Sequence, residues 1–265
     1  MTYENRNEII KAAHRNLAAT IRHRIEHSPK GRMFEEDGFL MFSIGHSVTS
    51  GHLNGLLRLN SETEPAEILD KAQTFFQTLK NDFTVWVRDQ IDDDLETVLR
   101  NSGFVSVREP GIPCMVLHER LASISSLADV TLSRVTEDKD AADYAKVMVA
   151  AFGLSNDVSQ DAFGRKESLF APNVTAFIAR RNSVPVAAAT TVQTESVAGI
   201  YYVGTIPESR GQGLGELCTH FATNAGFDLG ASAVVLQASV AGEPLYRRMG
   251  YQLLTRYRWY RLPAA

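Results

Sequence analysis

The sharpest chemistry in the sequence lies in one run, Val203-Gly204-Thr205-Ile206-Pro207-Glu208-Ser209-Arg210-Gly211-Gln212-Gly213-Leu214-Gly215. An apolar, strand-like segment, one cationic side chain and three alternating glycines stand directly before Leu214, Leu217, Cys218, Phe221 and Ala225, which have helical spacing. Without a Cβ, glycine lets main-chain amides approach an anion closely, and the N-terminus of the following helix adds favourable partial charge. Arg210 brings fixed charge in a fork that suits phosphate oxygens. The run reads as a pyrophosphate cradle. The plainer alternative is a glycine-rich turn with a solvated arginine, and the position between strand and helix favours the cradle. A P-loop needs GxxxxGK followed by Ser or Thr, and no lysine is here, which excludes that triphosphatase class. The dinucleotide fingerprint is GxGxxG opening a doubly wound sheet; this run is GxGxG with Arg210 in front and little sequence after it.

Arg210-Gly211-Gln212-Gly213-Leu214-Gly215 resembles the (Gln/Arg)-x-x-Gly-x-(Gly/Ala) motif of the GNAT superfamily of N-acetyltransferases. Val203-Gly204-Thr205-Ile206-Pro207 looks like that family's preceding strand, and Gln237–Tyr251 is similar to its next motif, a strand, a polar residue and a tyrosine before Gly-aromatic. The resemblance covers about residues 130–260. It implies that backbone groups of Val203, Gly204 and Thr205 meet the pantetheine arm of acetyl-CoA, and that the amides of Arg210 to Gly215 hold its pyrophosphate. Tyr246 matches the tyrosine that protonates the leaving thiolate, a role open to a phenol placed near sulfur; its plainer reading is an aromatic packed before a helix end. The family's usual Asn, seven positions before this tyrosine, is Ser239 here, with Gly242 as the small residue three later. The implied reaction is direct transfer of an acetyl group from acetyl-CoA to a primary amine of a small molecule or peptide, with no metal required. The implied fold class is α/β (α+β), a mixed central sheet flanked by helices. A non-catalytic acyl-CoA-binding or regulatory protein would keep the same cradle, and a nicotinamide oxidoreductase would use it for NADH.

The chain echoes itself. Leu99-Arg100-Asn101-Ser102-Gly103-Phe104 matches Tyr246-Arg247-Arg248-Met249-Gly250-Tyr251 at an offset of 147 residues. Carried back from the glycine run, that offset lands on Thr63-Glu64-Pro65-Ala66-Glu67-Ile68, which has no glycine and two carboxylates where phosphate should lie. Leu99 stands in place of the tyrosine. The expectation is two GNAT-like domains, 1–125 degenerate and 126–265 binding acetyl-CoA, joined at Ser123-Ile124-Ser125-Ser126. Charge divides in the same way: residues 1–125 carry 14 Lys+Arg against 18 Asp+Glu, and the remainder 13 against 13.

Elements that would position these residues follow from periodicity. Ile9, Ile10, Ala13, Leu17, Ile21 and Ile25 mark an opening helix, Phe39–Ile44 a strand, Pro65–Leu79 a helix, Phe83–Val87 a strand and Ile91–Arg100 a short acidic helix before a strand at Phe104. Further on come a helix through Tyr144–Phe152, strands at Val184–Val192 and Val197–Ile206, a helix after Leu214, a strand at Ala233–Gln237, a helical turn at Leu245–Met249 and a last strand, Tyr251–Tyr260. Leu154–Pro172, the least patterned stretch, is expected to wall the acceptor site.

The composition, 265 residues with 44% hydrophobic and 22% charged, excludes disordered and collagen-like chains, and no apolar run is long enough to span a bilayer. A net charge of −4 gives no reason to expect nucleic acid or an anionic membrane. Two cysteines without CxxC spacing exclude a disulfide or zinc-ribbon scaffold, and the polar start carries no secretion signal, so a cytoplasmic protein is expected. His23 and His27 have a metal-compatible spacing but no HExxH context, and read as surface histidines. Cys218 reads as core, and Asp92-Asp93-Asp94 as the charged first turn of a helix. Acetyl transfer to an ammonium also needs a base, and Glu195 and Glu208 are the carboxylates nearest the motif in sequence; each reads more plainly as a solvated turn residue.

Overall fold

The computed structural model describes residues 3–36, 38–48 and 50–263. The first half contains α1 (Tyr3–Glu26), β1 (Arg32–Glu36), β2 (Phe39–Ser43), β3 (Asn54–Arg58), α2 (Pro65–Leu79), β4 (Thr84–Arg88), α3 (Asp93–Asn101), β5 (Val105–Ser106) and β6 (Ile112–Leu117). The second contains β7 (Val130–Arg134), α4 (Asp138–Phe152), α5 (Asn156–Phe163), α6 (Lys166–Leu169), β8 (Val174–Arg181), β9 (Val184–Thr194), β10 (Val197–Thr205), α7 (Leu214–Asp228), β11 (Ala233–Gln237), α8 (Glu243–Arg248) and β12 (Gln252–Arg261).

All the strands join one mixed sheet in the order β1-β2-β3-β4-β12-β6-β11-β10-β9-β8-β7, with β5 beside β12. Two neighbouring pairs are parallel, β3 with β4 and β10 with β11, and each is bridged by a crossover helix, α2 or α7. The starts of α2 and α7, of β4 and β11, and of α3 and α8 lie 149, 149 and 150 residues apart, so the short sequence echo marks a repeat of strand, helix, strand, helix and strand.

The halves exchange strands at the centre. β6 lies between β11 and β12, pairing Val116 with Val235 and Ile112 with Tyr257. β12 in turn reaches across to β4, pairing Trp259 with Trp86, and holds the short β5. A single hydrogen-bonded ladder thus runs through both halves.

Helices cover both faces. On one face α1, α4, α5 and α6 bury Leu17, Ile21, Trp86, Tyr144 and Tyr257 in a common core. On the other, α7 and α8 pack over the second half around Cys218 and Leu236, while α2 and α3 pack over the first around Phe76 and Leu95. The opening stripe forms α1 as its spacing predicts, with Ala13, Leu17 and Ile21 essentially inaccessible to solvent. The expected linker, Ser123–Ser126, follows two residues that are anchored on α7. The segment between β6 and β7 lies along α7, where Leu121 and Asn224 exchange two hydrogen bonds (2.9 and 3.1 Å) and His220 Nε2 donates to the Ala122 carbonyl. Among the described residues no helix is long and apolar enough to cross a membrane.

Candidate active site

β10 and β11 are parallel partners only over Val197–Ile200 against Ala233–Leu236. Between Tyr201 and Gly204 the register of β10 against β9 shifts by one residue, a β-bulge in which Tyr202 takes φ +55°. A bulky residue in the left-handed region is strained, and such strain is typically held where function needs it. Past the bulge the pairing of β10 with β11 has ended, so Val203, Gly204 and Thr205 lie beyond the β11 ladder.

The strand leads directly into the glycine run. Ile206 is still tied to Val186 (3.0 Å), Pro207–Ser209 make one tight turn, and Gly211 and Gly213 have φ of +74° and +79°. A Cβ on Gly211 would project into open space, and one on Gly213 would stop 3.8 Å from Leu127. Gly213 caps α7, whose first-turn amides have no intrahelical acceptor and carry the positive end of the helix dipole. The run therefore presents main-chain amides at the positive end of α7, a donor set that suits a diphosphate.

The side chains expected there behave unequally. Arg210 does not aim its fork outward: Nε donates to the Thr205 carbonyl (3.2 Å) and a terminal nitrogen to the Ala151 carbonyl (2.9 Å), which ties the loop to the end of α4. Its amide donates to the Pro207 carbonyl, so the amides facing outward begin at Gly211. The Gln212 side chain accepts a hydrogen bond from Arg181, a cation at the end of β8 that no motif flagged. Leu214 is buried under the sheet, while Gly215 has room for a methyl group, its nearest neighbours being Thr205 Oγ1 at 3.6 Å and Leu245 at 4.0 Å.

Tyr246 is brought to the same place from α8. Its ring is buried beside Gly242 and Ser239, and its hydroxyl meets that of Thr219, which donates to the Gly215 carbonyl (2.8 Å). Burial pushes the phenol up to about 12, against the pull of the Thr219 hydrogen bond. At that value it is a weaker acid than a thiol of ~8.5, so it is suited to donating a hydrogen bond to a thiolate rather than surrendering its proton outright. Ser239, exposed at the end of β11, accepts from the Gly242 amide (3.1 Å) and shapes the turn into α8. Gln237, the last residue of β11, was not legible as a site residue: its Oε1 is buried without a partner, on the sheet face that carries Cys114.

Tyr201 and Tyr202 both point to the face covered by α1. The Tyr202 ring packs on Phe163 (4.8 Å between centroids), and Ala162, Phe163, Ser168 and Leu169 line a small cavity against it. The unpatterned stretch Leu154–Pro172 thus forms helices α5 and α6 beside the bulge. Glu195 lies away from it, at the opposite end of β10, on Arg15 (2.9 Å), and Glu208 is exposed beside the glycine run.

At the corresponding place in the first half, Arg58 closes the end of β3. It is buried, with one guanidinium nitrogen 2.6 Å from Asp94 and 3.9 Å from Asp92, while Asp92 also binds Arg88 (2.7 Å). Asp92 precedes the first turn of α3 and is wholly buried; Asp93 and Asp94 lie within that turn. Glu36, Glu62, Glu64 and Glu67 crowd around Lys71 where the second half has its glycines.

His23 and His27 depart from expectation. Both are half-buried, His23 donating to the Ser168 carbonyl (2.9 Å) and His27 to the His23 carbonyl (2.7 Å), so they secure the end of α1. Cys218 is wholly buried, and burial pushes its thiol up to about 12.

Residues 144–251 match the model of the Acetyltransferase (GNAT) family. Among solved structures, the chain is similar to a GCN5-related N-acetyltransferase from Kribbella flavida (21% identity, 96% of each chain, TM-score 0.71) and to one from Sphaerobacter thermophilus (15% identity, 86% of this chain and 82% of that one, TM-score 0.61). It is also similar to a tandem GNAT protein from the clavulanic acid biosynthesis pathway (10% identity, 90% of this chain and 85% of that one, TM-score 0.60). No curated protein matches the sequence. The residues that match the Acetyltransferase (GNAT) family model, 144–251, contain the bulged strand, the glycine run and Tyr246.

Proposed function

We propose that the protein transfers the acetyl group of acetyl-CoA to a primary amine of a small-molecule or peptide acceptor, and that the second half alone binds the donor. The observation that carries this reading is the continuity of the bulge at Tyr202, the main chain of Val203–Thr205 beyond the β11 pairing and the run of amides from Gly211 to Gly215. A thioester supplies the electrophilic carbon; the amine nitrogen bonds to it, the carbon–sulfur bond breaks, the thiolate leaves and the nitrogen loses a proton. Val203 and Thr205 offer main-chain bonds to the pantetheine arm, the amides of Gly211 to Gly215 take the diphosphate, and the Tyr246 O–H, which rests on Thr219 in the free protein, is the donor assigned to the departing sulfur. Positioning and fixed donors supply most of the rate. In the first half the buried Arg58–Asp92–Arg88 cluster and the surrounding carboxylates exclude a diphosphate, which supports a degenerate copy kept for its strands and for its share of the acceptor wall.

Thermal unfolding with acetyl-CoA, CoA and NADH in parallel tests the reading. A ligand at ~100 times its dissociation constant adds about 2.7 kcal/mol, a shift of a few degrees. A shift with both CoA ligands that is lost in Gly213→Ala, together with thiol release on adding an amine, supports it. A shift without turnover by any amine indicates an acyl-CoA-binding protein, and a shift with NADH alone returns the glycine run to nicotinamide chemistry.

A further inference from the structure

Three arginines are buried among the described residues, and two of them, Arg58 and Arg88, are paired with aspartates. Arg24, in the last turn of α1, is the exception at 3% exposure. One terminal nitrogen donates to the Tyr202 hydroxyl, the other to the His52 carbonyl (2.6 Å), and Nε has no partner. Its electrostatic neighbours are the phenols of Tyr201 and Tyr144, with no carboxylate among them, and burial pushes the guanidinium down to about 9. A buried cation left without a counter-charge is costly, and an anionic ligand would supply the missing charge.

The position of Arg24 indicates which ligand. Tyr202 is the bulged residue itself, and the Arg24 guanidinium lies 5.0 Å from its ring centre. Both line the cavity bounded by Thr20, Tyr144, Phe163, Ser168 and Thr190, which offers hydroxyl groups and no acid. This is the sheet face opposite α7, so the donor's cradle and Arg24 lie on opposite sides of the same bulge. The free volume, about 20 Å³, holds one water, so a larger group enters by displacing the Tyr202 hydroxyl.

We infer that Arg24 is the acceptor's anion-binding residue: the amine presented at the bulge carries a carboxylate, which the guanidinium takes in place of the Tyr202 hydroxyl. This rests on the amine-acetylation reading above and narrows its substrate class to amino acids and related amino carboxylates. It also gives the first half a direct part in the reaction, since α1 delivers the residue.

The test uses the full-length chain. Calorimetry with acetyl-CoA comes first, on wild type and Arg24→Gln. Failure of the wild type to bind overturns the transferase reading, and this inference with it. With binding in hand, thiol release is followed for glycine, γ-aminobutyrate and lysine against glycinamide, 4-aminobutanamide and lysinamide, and thermal shifts are read for the same six compounds in the presence of CoA. We expect kcat/KM to favour the carboxylates by about tenfold or more in the wild type, the ratio to fall close to one in Arg24→Gln, and Arg24→Lys to recover part of it. Equal use of acids and amides, a preference that survives Arg24→Gln, or no carboxylate-specific effect on either turnover or unfolding overturns the proposal. Should Arg24→Gln fail to fold, the wild-type ratio and its change in Arg24→Lys decide the matter.

Discussion

The Tyr201 hydroxyl donates to Asn16 Oδ1 at 2.7 Å, joining the first helix of the chain to the bulged strand. Asn16 is fully buried and its amide nitrogen also donates to the Val192 carbonyl (2.9 Å) and to Thr194 Oγ1 (2.8 Å), so one side chain from α1 secures both β9 and β10. Asn16→Ala leaves these groups unpaired and is expected to cost about 2–4 kcal/mol, read from denaturant unfolding. For the same reason residues 126–265 expressed alone, lacking α1 and the β6 strand between β11 and β12, are expected not to give a cooperative transition; a sharp calorimetric peak from that fragment would contradict this.

Gly213 and Gly215 separate conformation from space. Gly213 holds φ +79°, so a methyl group there is strained by roughly 1–2 kcal/mol and turns the amides of the cradle. Gly215 lies in the first turn of α7 with ordinary φ and nothing nearer than 3.6 Å to an added Cβ. Gly215→Ala is expected to stabilise by up to about 1 kcal/mol while CoA affinity stays within a few-fold, whereas Gly213→Ala lowers both stability and affinity. Titration of the two variants with CoA, beside their melting curves, decides it; similar losses in both would argue against an amide cradle.

What was legible in the sequence was local. The spacing of Ile10, Leu17 and Ile21 marked α1, and the unbroken apolar run Ile200–Val203 marked a buried strand, because each pattern is set by neighbours along the chain. The turn before α7 was legible for a similar reason: positive φ at Gly211 and Gly213 demands glycine. β6 was missed because Ile112–Leu117 is covered on both faces, which removes alternation. β1 and β7 were missed for the opposite reason, being edge strands with mostly exposed side chains. The exchange of β6 and β12 between halves left no trace in either segment, since strand partners are chosen by packing far apart in sequence. Arg24 was equally silent: a lone arginine on an amphipathic helix reads as solvated until the sheet beneath it is known.

Tyr246→Phe removes the hydroxyl that faces Thr219 and leaves the ring packed against Tyr251 (6.0 Å between centroids). Stability is expected to fall by about 1 kcal/mol and acetyl-CoA affinity to hold within a few-fold, while kcat drops roughly 10²-fold if the O–H assists departure of the thiolate. Since burial holds this phenol at about 12, it keeps its proton across the accessible range, and any alkaline limb of kcat/KM in the wild type is expected to persist in Tyr246→Phe. A limb that vanishes in the variant would show that Tyr246 itself titrates.

His14 makes the fold acid-sensitive. It is 4% exposed, Nε2 donates to the Arg58 carbonyl (2.9 Å) and Nδ1 accepts from the Tyr257 hydroxyl (3.2 Å), so the ring is held uncharged. Burial, aided by the charge of Arg88, pushes it down to about 4, below the ~6.5 of an unfolded histidine. Between those values the unfolded chain binds more protons than the folded one, so stability is complete above about pH 6.5 and is lost as pH falls toward 4, by roughly 3 kcal/mol from this ring. His52, pushed down to about 3 by burial and by Arg24, extends the loss to lower pH. His14→Gln can keep the bond to the Arg58 carbonyl without a titrating group. Its Tm is expected to be lower at neutral pH and to fall less steeply between about pH 6.5 and 4.5; parallel Tm-against-pH curves for variant and wild type would place the acid-sensitive group elsewhere.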